Sequence, residues 1–343
     1  GRPDGASAAA PRAGGAGSSA ALAGGGGQSQ LVQGNNGQAD GKKGSGGGLP
    51  PLQAIADGPQ GGPKGPATPP PADAPHRIAK PPAAPIANPD PLLADAKAKL
   101  DAGDYLGVRA VLNDAVCNDQ FTGPAGDQAR ALMAEANNKL VFSARAFDGD
   151  PYVEVARVES GKGLTAIARQ HAVPWEVVCT INGTSDRRIR MGQTLKVPFG
   201  PFHALVSKKA FRLDLFLGGL PGDPGALYVT SLHVGLGKDD STPTGLWTVA
   251  AGGKMKNPAW TNPRSGEHFD GYDAKNPLGG YWIALKGEEG SALGKTSYGI
   301  HGTIEPTSIG TQASMGCIRL TVDDIKLVYE MLSEGKSKVL VRD

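Results

Sequence analysis

The first aromatic residue of this chain is Tyr105; no Phe, Trp or Tyr precedes it. Over that stretch Gly, Ala, Pro, Ser and Gln dominate, in runs such as GGAGSSAALAGGGG and PKGPATPPPADAP. A segment like this has too few large apolar groups to offset the chain entropy lost on folding. Residues 1–90 are therefore expected to form a disordered Gly/Pro/Ala-rich tether, stiffer toward its Pro-rich end. The GGGG run is not a phosphate loop, because it lacks the following Lys-Ser/Thr and a preceding strand.

The chain has 343 residues, enough for two or three small domains. Its formal net charge of +2 implies neither nucleic acid nor an acidic partner, and no nucleic-acid binding is expected. The three cysteines, Cys117, Cys179 and Cys317, are an odd count and not a disulfide framework. No stretch is long and apolar enough to cross a bilayer. The chain starts without Met or a charged-then-apolar segment, and an export signal or anchor is expected to lie outside the given sequence.

Helical periodicity begins at PLLADAKAKLDAGDY. In YLGVRAVLNDAV, the residues Val108, Val111, Leu112, Ala115 and Val116 share one helix face. A third helix is expected over 127–142, with Leu132, Met133, Ala136 and Leu140 inward. With Gly103 and Gly123 at the turns, residues 91–147 resemble a tetratricopeptide-like unit; one copy is no array, so a small packing module is expected. Cys117 ends the second helix and reads as structural.

Residues 152–198 give a strand (VEVARV), two short helices (GLTAIARQHAV and PWEVVCTING) and a turn plus strand (IRMGQTLKVP). This order, with Leu164, Ile167, Ala168, Val173, Ile181, Asn182 and the tail from Ile189 to Pro198, resembles a LysM domain, a glycan-binding module of cell-wall proteins. The family's Gly-Asp-Thr ahead of its first helix is here Gly161-Lys162-Gly163, which removes a capping side chain. Cys179 falls on an apolar face and reads as core.

From Pro201 strands prevail: FHALVSKKAFRLDLFL as a hairpin, then ALYVTSLHVGLG, STPTGLWTVA, YWIALKG, YGIHGT and a final KVLV. A long loop is expected over 254–277. TVDDIKLVYEMLSEG is a helix with Thr321 as N-cap, Asp323 and Asp324 in its first turn, Ile325, Val328, Met331 and Leu332 inward, and Gly335 at its end.

A thiol is a strong nucleophile only as thiolate and needs a base or cation beside it. His301 ends a strand pattern, and a Gly/Ser loop returns from it to Cys317. Gly316 lets backbone approach closely, so the Cys317 N–H and its neighbours are candidate oxyanion donors. The helix after Thr321 directs its positive end to the same region, and Arg319 adds charge; both are expected to lower the thiol pKa.

The string His301-Gly302-Thr303, Ser308-Ile309-Gly310 and Ser314-x-Gly316-Cys317-Ile318-Arg319-Leu320 resembles the signature of the L,D-transpeptidase (YkuD) catalytic domain. Thr242-Pro243-Thr244-Gly245 and Asn276-Pro277-Leu278-Gly279 match further family segments in order. The resemblance covers 201–343 and implies a β-rich fold, Cys317 as nucleophile and His301 as general base and acid. It also implies supporting roles for Gly302, Thr303, Ser314, Gly316 and Arg319. One position departs: the family often has His before Gly-Cys, where this chain has Met315. Met cannot move a proton, so Met315 is expected to shape the pocket wall. Tyr298 and Trp260 are further substrate-lining candidates, with core packing and loop pinning as the competing readings.

The sequence thus predicts an α+β multidomain chain: tether, small α-helical module, βααβ LysM-like domain, then a β-rich YkuD-like domain with one main helix. The implied function is peptidoglycan cross-linking in the cell envelope by cysteine acyl transfer from a tetrapeptide stem, with release of D-Ala and formation of 3→3 linkages. The alternatives are an L,D-carboxypeptidase acting on the same bond and a non-catalytic peptidoglycan-binding scaffold. Stem peptides and glycan are the expected partners, and no cofactor is expected. Zinc at His301 and Cys317 would need more ligands, and only His268 is near in sequence, so no metal is expected. His203 and His233 read as structural or surface residues, and Asp239-Asp240 as a solvated turn.

Overall fold

The computed structural model describes residues 83–262 and 265–343; the expected tether lies outside the described residues up to residue 82. Its last part is held in place. The Ala83 and Ile86 N–H groups donate to Asn118 O (3.3 Å) and Gln120 O (2.9 Å), and Ile86 packs on the core. Three helices follow: α1 (Asp90–Asp101), α2 (Tyr105–Cys117) and α3 (Gly123–Leu140). Asp104 caps α2 by accepting from the Gly107 N–H at 2.8 Å. The apolar face of α2 buries Val108, Leu112, Ala115 and Val116, with Val111 half-buried at its margin. Helix α3 begins earlier than expected, at Gly123, whose positive φ of 53° makes the turn and whose neighbour Pro124 suits a first helical turn.

The next unit pairs β1 (Val153–Arg157) antiparallel with β2 (Thr194–Pro198), with α4 (Leu164–Gln170) and α5 (Trp175–Ile181) between them. No side chain caps α4, whose N-cap is Gly163. Asn182 ties α5 to β2: its Nδ2 donates to Val178 O and Lys196 O, and its Oδ1 accepts from the Lys196 N–H. The buried Lys196 ammonium donates to Leu140 O, Ser143 O and Arg145 O at 2.6–2.9 Å, joining this unit to the end of α3. Burial lowers the Lys196 pKa to about 8.

The remaining strands are β3 (Phe202–Ser207), β4 (Arg212–Leu217), β5 (Leu227–His233), β6 (Leu236–Gly237), β7 (Gly245–Lys256), β8 (Trp260–Thr261), β9 (His268–Phe269), β10 (Tyr281–Gly287), β11 (Tyr298–His301), β12 (Gln312–Ser314), β13 (Ile318–Arg319) and β14 (Lys338–Arg342), with helix α6 (Val322–Met331) before β14. Eight of them form one sheet in the order β13-β11-β10-β7-β14-β3-β4-β5. The last strand in sequence lies inside the sheet, parallel to β3 and antiparallel to β7. Strand β7 runs on to Lys256, and a small β8–β9 hairpin occupies part of the segment expected as loop. Helix α6 buries Ile325, Val328 and Met331 and ends at Met331. Gly335, expected to end the helix, instead makes the later turn into β14 at φ +69°.

The helical layer covers one edge of this sheet. The Asn113 amide donates to Ala226 O (2.9 Å) and accepts from the Tyr228 N–H (3.0 Å). Asn137 donates to Tyr228 O (2.7 Å) and Val229 O (3.1 Å). Two side-chain amides thus satisfy backbone groups that an edge strand would otherwise leave open.

Candidate active site

The opposite end of the sheet brings the signature residues together. Directly opposed residues share a sheet face, and successive residues alternate between faces. Strand β11 pairs antiparallel with β10 and parallel with β13, so Ile283, Ile300 and Ile318 form one row. All three are buried in the core. The adjacent row, on the other face, is Trp282, His301 and Arg319. Two residues back on that face are Ala284 opposite Gly299. The Gly299 backbone lies close enough to the Cys317 thiol to lower its pKa. The β period puts His301 and Arg319 on one face, and continuing it one residue back from Ile318 assigns Cys317 to the same face.

Gly299 makes room for the Trp282 indole on this surface. A Cβ there would lie 2.6 Å from Trp282 Cζ2, because the indole leans across the position. The same indole stacks on the His301 ring, with centroids 5.9 Å apart at 23°. His301 is held from a second side, its Nδ1 lying 2.6 Å from Gly302 O. A carbonyl only accepts, so Nδ1 carries the proton and Nε2 keeps its lone pair. Burial lowers the imidazole pKa to about 4, against the raising effect of the Gly302 hydrogen bond; the Arg319 charge lowers it further.

The Cys317 turn is clamped. Ser314 Oγ donates to Cys317 O at 2.6 Å and accepts the Gly316 N–H at 3.0 Å. Thr242 Oγ1 donates to Gly316 O (3.0 Å) and accepts from the Gly237 N–H (2.8 Å). Gly316 has φ +124°, and a Cβ there would meet Tyr298 Cε1 at 2.6 Å. Tyr298 therefore touches the site through its ring edge against Gly316, while its ring also packs on Trp247 (5.3 Å). Met315 is 43% exposed beside this turn. Trp260 stacks on Phe269 across its own β8–β9 hairpin at 6.0 Å, which is the loop-pinning reading.

Two sequence expectations change. Burial raises the Cys317 pKa, outweighing the lowering effects of the Gly299 backbone bond and the Arg319 charge. The helix end does not reverse this: Thr321 caps α6 on the Asp324 N–H, and Asp323 and Asp324 place two carboxylates at its positive end. Burial thus works against charge on both the thiol and the imidazole. In addition, the Gly316 N–H is taken by Ser314, leaving the amide of Cys317 itself as the oxyanion donor to consider. Arg319 pairs with Glu305 at 3.4 Å. Thr303 and Ser308 set the Glu305 turn: Thr303 Oγ1 accepts the Glu305 N–H (3.0 Å), and Ser308 Oγ donates to Glu305 O (2.7 Å).

Sequence reading missed Trp282, Gly299 and Glu305, and gave Thr242 only as part of a family segment, with no role. The strand YWIALKG carried a signal for Trp282, since register against YGIH pairs Trp with His. Asn276 closes the long loop. Its Nδ2 donates to Pro258 O and Asp270 O, and its Oδ1 accepts the Leu278 N–H.

Comparison with known proteins bears on this arrangement. The L,D-transpeptidase catalytic domain profile matches residues 201–341, and the LysM domain profile matches residues 157–198. The chain is 31% identical over 229 residues to an Escherichia coli protein named as a probable L,D-transpeptidase, YcfS, covering 60% of this chain and 67% of that protein. The chain belongs to the L,D-transpeptidase family. Bacillus subtilis YkuD is 27% identical over 186 residues, covering 52% of this chain and 93% of YkuD. A Mycobacterium tuberculosis L,D-transpeptidase crystal structure aligns at 16% identity with a TM-score of 0.31, covering 44% of this chain and 62% of that one. In this L,D-transpeptidase family member, the LysM domain precedes the catalytic domain directly, with Phe199 and Gly200 between the matched regions.

Proposed function

We propose that the chain is a peptidoglycan L,D-transpeptidase of the cell envelope in which Cys317 is the nucleophile and His301 the general base and acid. The observation that carries this reading is the shared sheet face of Cys317 and His301, with His301 Nδ1 fixed on Gly302 O so that Nε2 is basic. Because burial works against charge on both groups, the thiol proton passes to His301 Nε2 as sulfur attacks, and no ion pair is needed beforehand. Sulfur bonds to the carbonyl carbon on the L-centre of the diamino acid in a tetrapeptide stem. The oxyanion that forms is met by the Cys317 N–H. The intermediate collapses with loss of D-Ala, whose amine takes the proton from the imidazolium. A side-chain amine of a second stem, deprotonated by His301, then attacks the thioester, forms the 3→3 amide and restores the thiol.

Trp282 and Ser314 position the two reacting groups, and Arg319 with Glu305 sets the charge beside the imidazole. Met315, exposed next to the turn, and Tyr298, behind Gly316, line the acyl pocket. The LysM domain holds glycan while the stems react, and the residues before Ala83 serve as a tether. The test is product analysis of tetrapeptide muropeptides incubated with wild type and Cys317→Ala. Transpeptidation gives 3→3 dimers that Cys317→Ala does not make. Tripeptide alone would assign an L,D-carboxypeptidase, and no product from wild type would leave a scaffold.

A further inference from the structure

The connection between α5 and β2 carries Arg187, Arg188 and Arg190, all exposed. With Ile189, Met191 and Gln193 they line an open surface cavity of about 700 Å3. The loop is firmly built. The Arg188 N–H donates to Ser185 O (2.9 Å), the Gly192 N–H to Val158 O (2.8 Å) and the Val158 N–H to Gln193 O (2.8 Å). The Arg190 N–H donates to Gln193 Oε1 at 3.0 Å. Arg157, at the end of β1, brings its guanidinium up to Gly192, where a Cβ would be 3.5 Å from Arg157 Nη2.

Charge balance within this unit is unequal. Glu154 is paired with His171 (2.9 Å), Glu159 with Lys162 (2.7 Å) and Glu176 with Lys256 (4.0 Å). Arg187, Arg188 and Arg190 have no ion pair among the described residues; Asp186 is the one acid in their loop. Three like charges within four consecutive positions favour an anionic ligand. The guanidinium fork suits carboxylate and phosphate oxygens, and a fixed loop backbone reduces the ordering cost of forming such pairs. Met191 is 77% exposed, and with half-buried Ile189 it adds apolar surface for a ring face or peptide backbone. A neutral sugar alone would leave the three guanidiniums unanswered.

We propose that this loop is a site for a carboxylate-bearing glycan: Arg187, Arg188 and Arg190 take the free carboxylates of the peptide stems while Met191 and Ile189 pack on the polymer beside them. The identity of the polymer rests on the functional reading above, since holding the enzyme near its donor requires the same polymer at both domains. Binding would then favour strands rich in uncleaved stems over bare glycan.

The test is sedimentation of the full chain carrying Cys317→Ala, so that binding is read without turnover, with insoluble peptidoglycan either intact or stripped of stems by an amidase. The chain should bind intact polymer about tenfold or more tightly than stripped polymer. Arg187→Gln/Arg188→Gln/Arg190→Gln should lower binding to intact polymer to the stripped level. The matching Lys variant should keep part of the difference and confirm that the exposed loop tolerates substitution. Equal binding of the parent chain to both polymers overturns the proposal, as does unchanged binding by the Gln variant. Tighter binding to a phosphodiester polymer than to peptide-bearing glycan overturns the carboxylate assignment. Product analysis with the wild-type enzyme decides the acyl-transfer reading separately, so either can fail alone.

Discussion

The two ends of the central sheet each carry a cysteine, and they treat it in opposite ways. At β5, side-chain amides from α2 and α3 close the strand edge, and Cys117 lies buried in that seam with its thiol 3.5 Å from Ala226 O. Burial pushes the Cys117 pKa up to about 12. At β13 the edge strand has two residues, met on its outer side by a single bridge from Gly235 to Arg319. There Cys317 keeps partial exposure, and His301 on the neighbouring strand β11 holds Nδ1 on Gly302 O, which leaves Nε2 basic. Burial raises both thiols, so a raised pKa does not separate an inert cysteine from a reactive one. What differs is exposure, since Cys117 is buried and Cys317 is not, and under the proposed function His301 takes the proton from Cys317.

That contrast can be broken most severely at the imidazole. His301→Ala should reduce acyl transfer by about 10²- to 10⁴-fold in kcat/KM, the usual worth of a positioned general base. A variant with undiminished single-turnover acylation would move the base elsewhere.

The second effect is on stability against pH. His301 titrates near 6.5 when unperturbed and at about 4 in the fold. Its folded pKa is depressed, so the unfolded chain binds the extra proton between those values. The stability from keeping it neutral is whole above pH 6.5 and lost as pH falls toward 4, about 3 kcal/mol in all. Urea unfolding of wild type and His301→Gln at pH 7 and pH 4 should show a steeper acid loss in wild type. Parallel losses would place His301 in a more solvated setting.

At the sealed edge, Asn137→Leu removes the amide bonded to Tyr228 O and Val229 O and leaves buried carbonyls unpaired. It should destabilise the chain by about 2 kcal/mol in denaturant unfolding. A neutral result would mean that α3 is not what closes β5. The smallest effect expected is at Trp282. Trp282→Ala removes the ring stacked on His301 and should lower kcat by about tenfold with little change in KM, since a misplaced base affects the chemical step. A change confined to KM would make Trp282 a substrate contact.

The sequence was most legible where its periods are long. The apolar faces of α2, α3 and α6 read directly from three- and four-residue spacing. So did the cysteine motif, whose residues are close in sequence because the turn that holds Cys317 is local: Ser314, Gly316 and Cys317 bond to one another. What escaped notice depends on distant pairing. Strands β12 and β13 are too short to show a period, and Trp282 meets His301 only through the β10–β11 register. The expected lowering of the thiol pKa failed for a related reason. Charge could be counted along the chain, but burial, the larger effect, arises from tertiary packing.

The measurement closest to the central claim is trapping the acyl-enzyme. The chain is incubated with a tetrapeptide donor and no amine acceptor, quenched in acid, and mapped by mass spectrometry. One donor adduct, with D-Ala lost, is expected on Cys317, none on Cys117 or Cys179, and none on any cysteine in His301→Ala at the same time point. An adduct on Cys117, or acylation of Cys317 unaffected by loss of His301, would contradict the account.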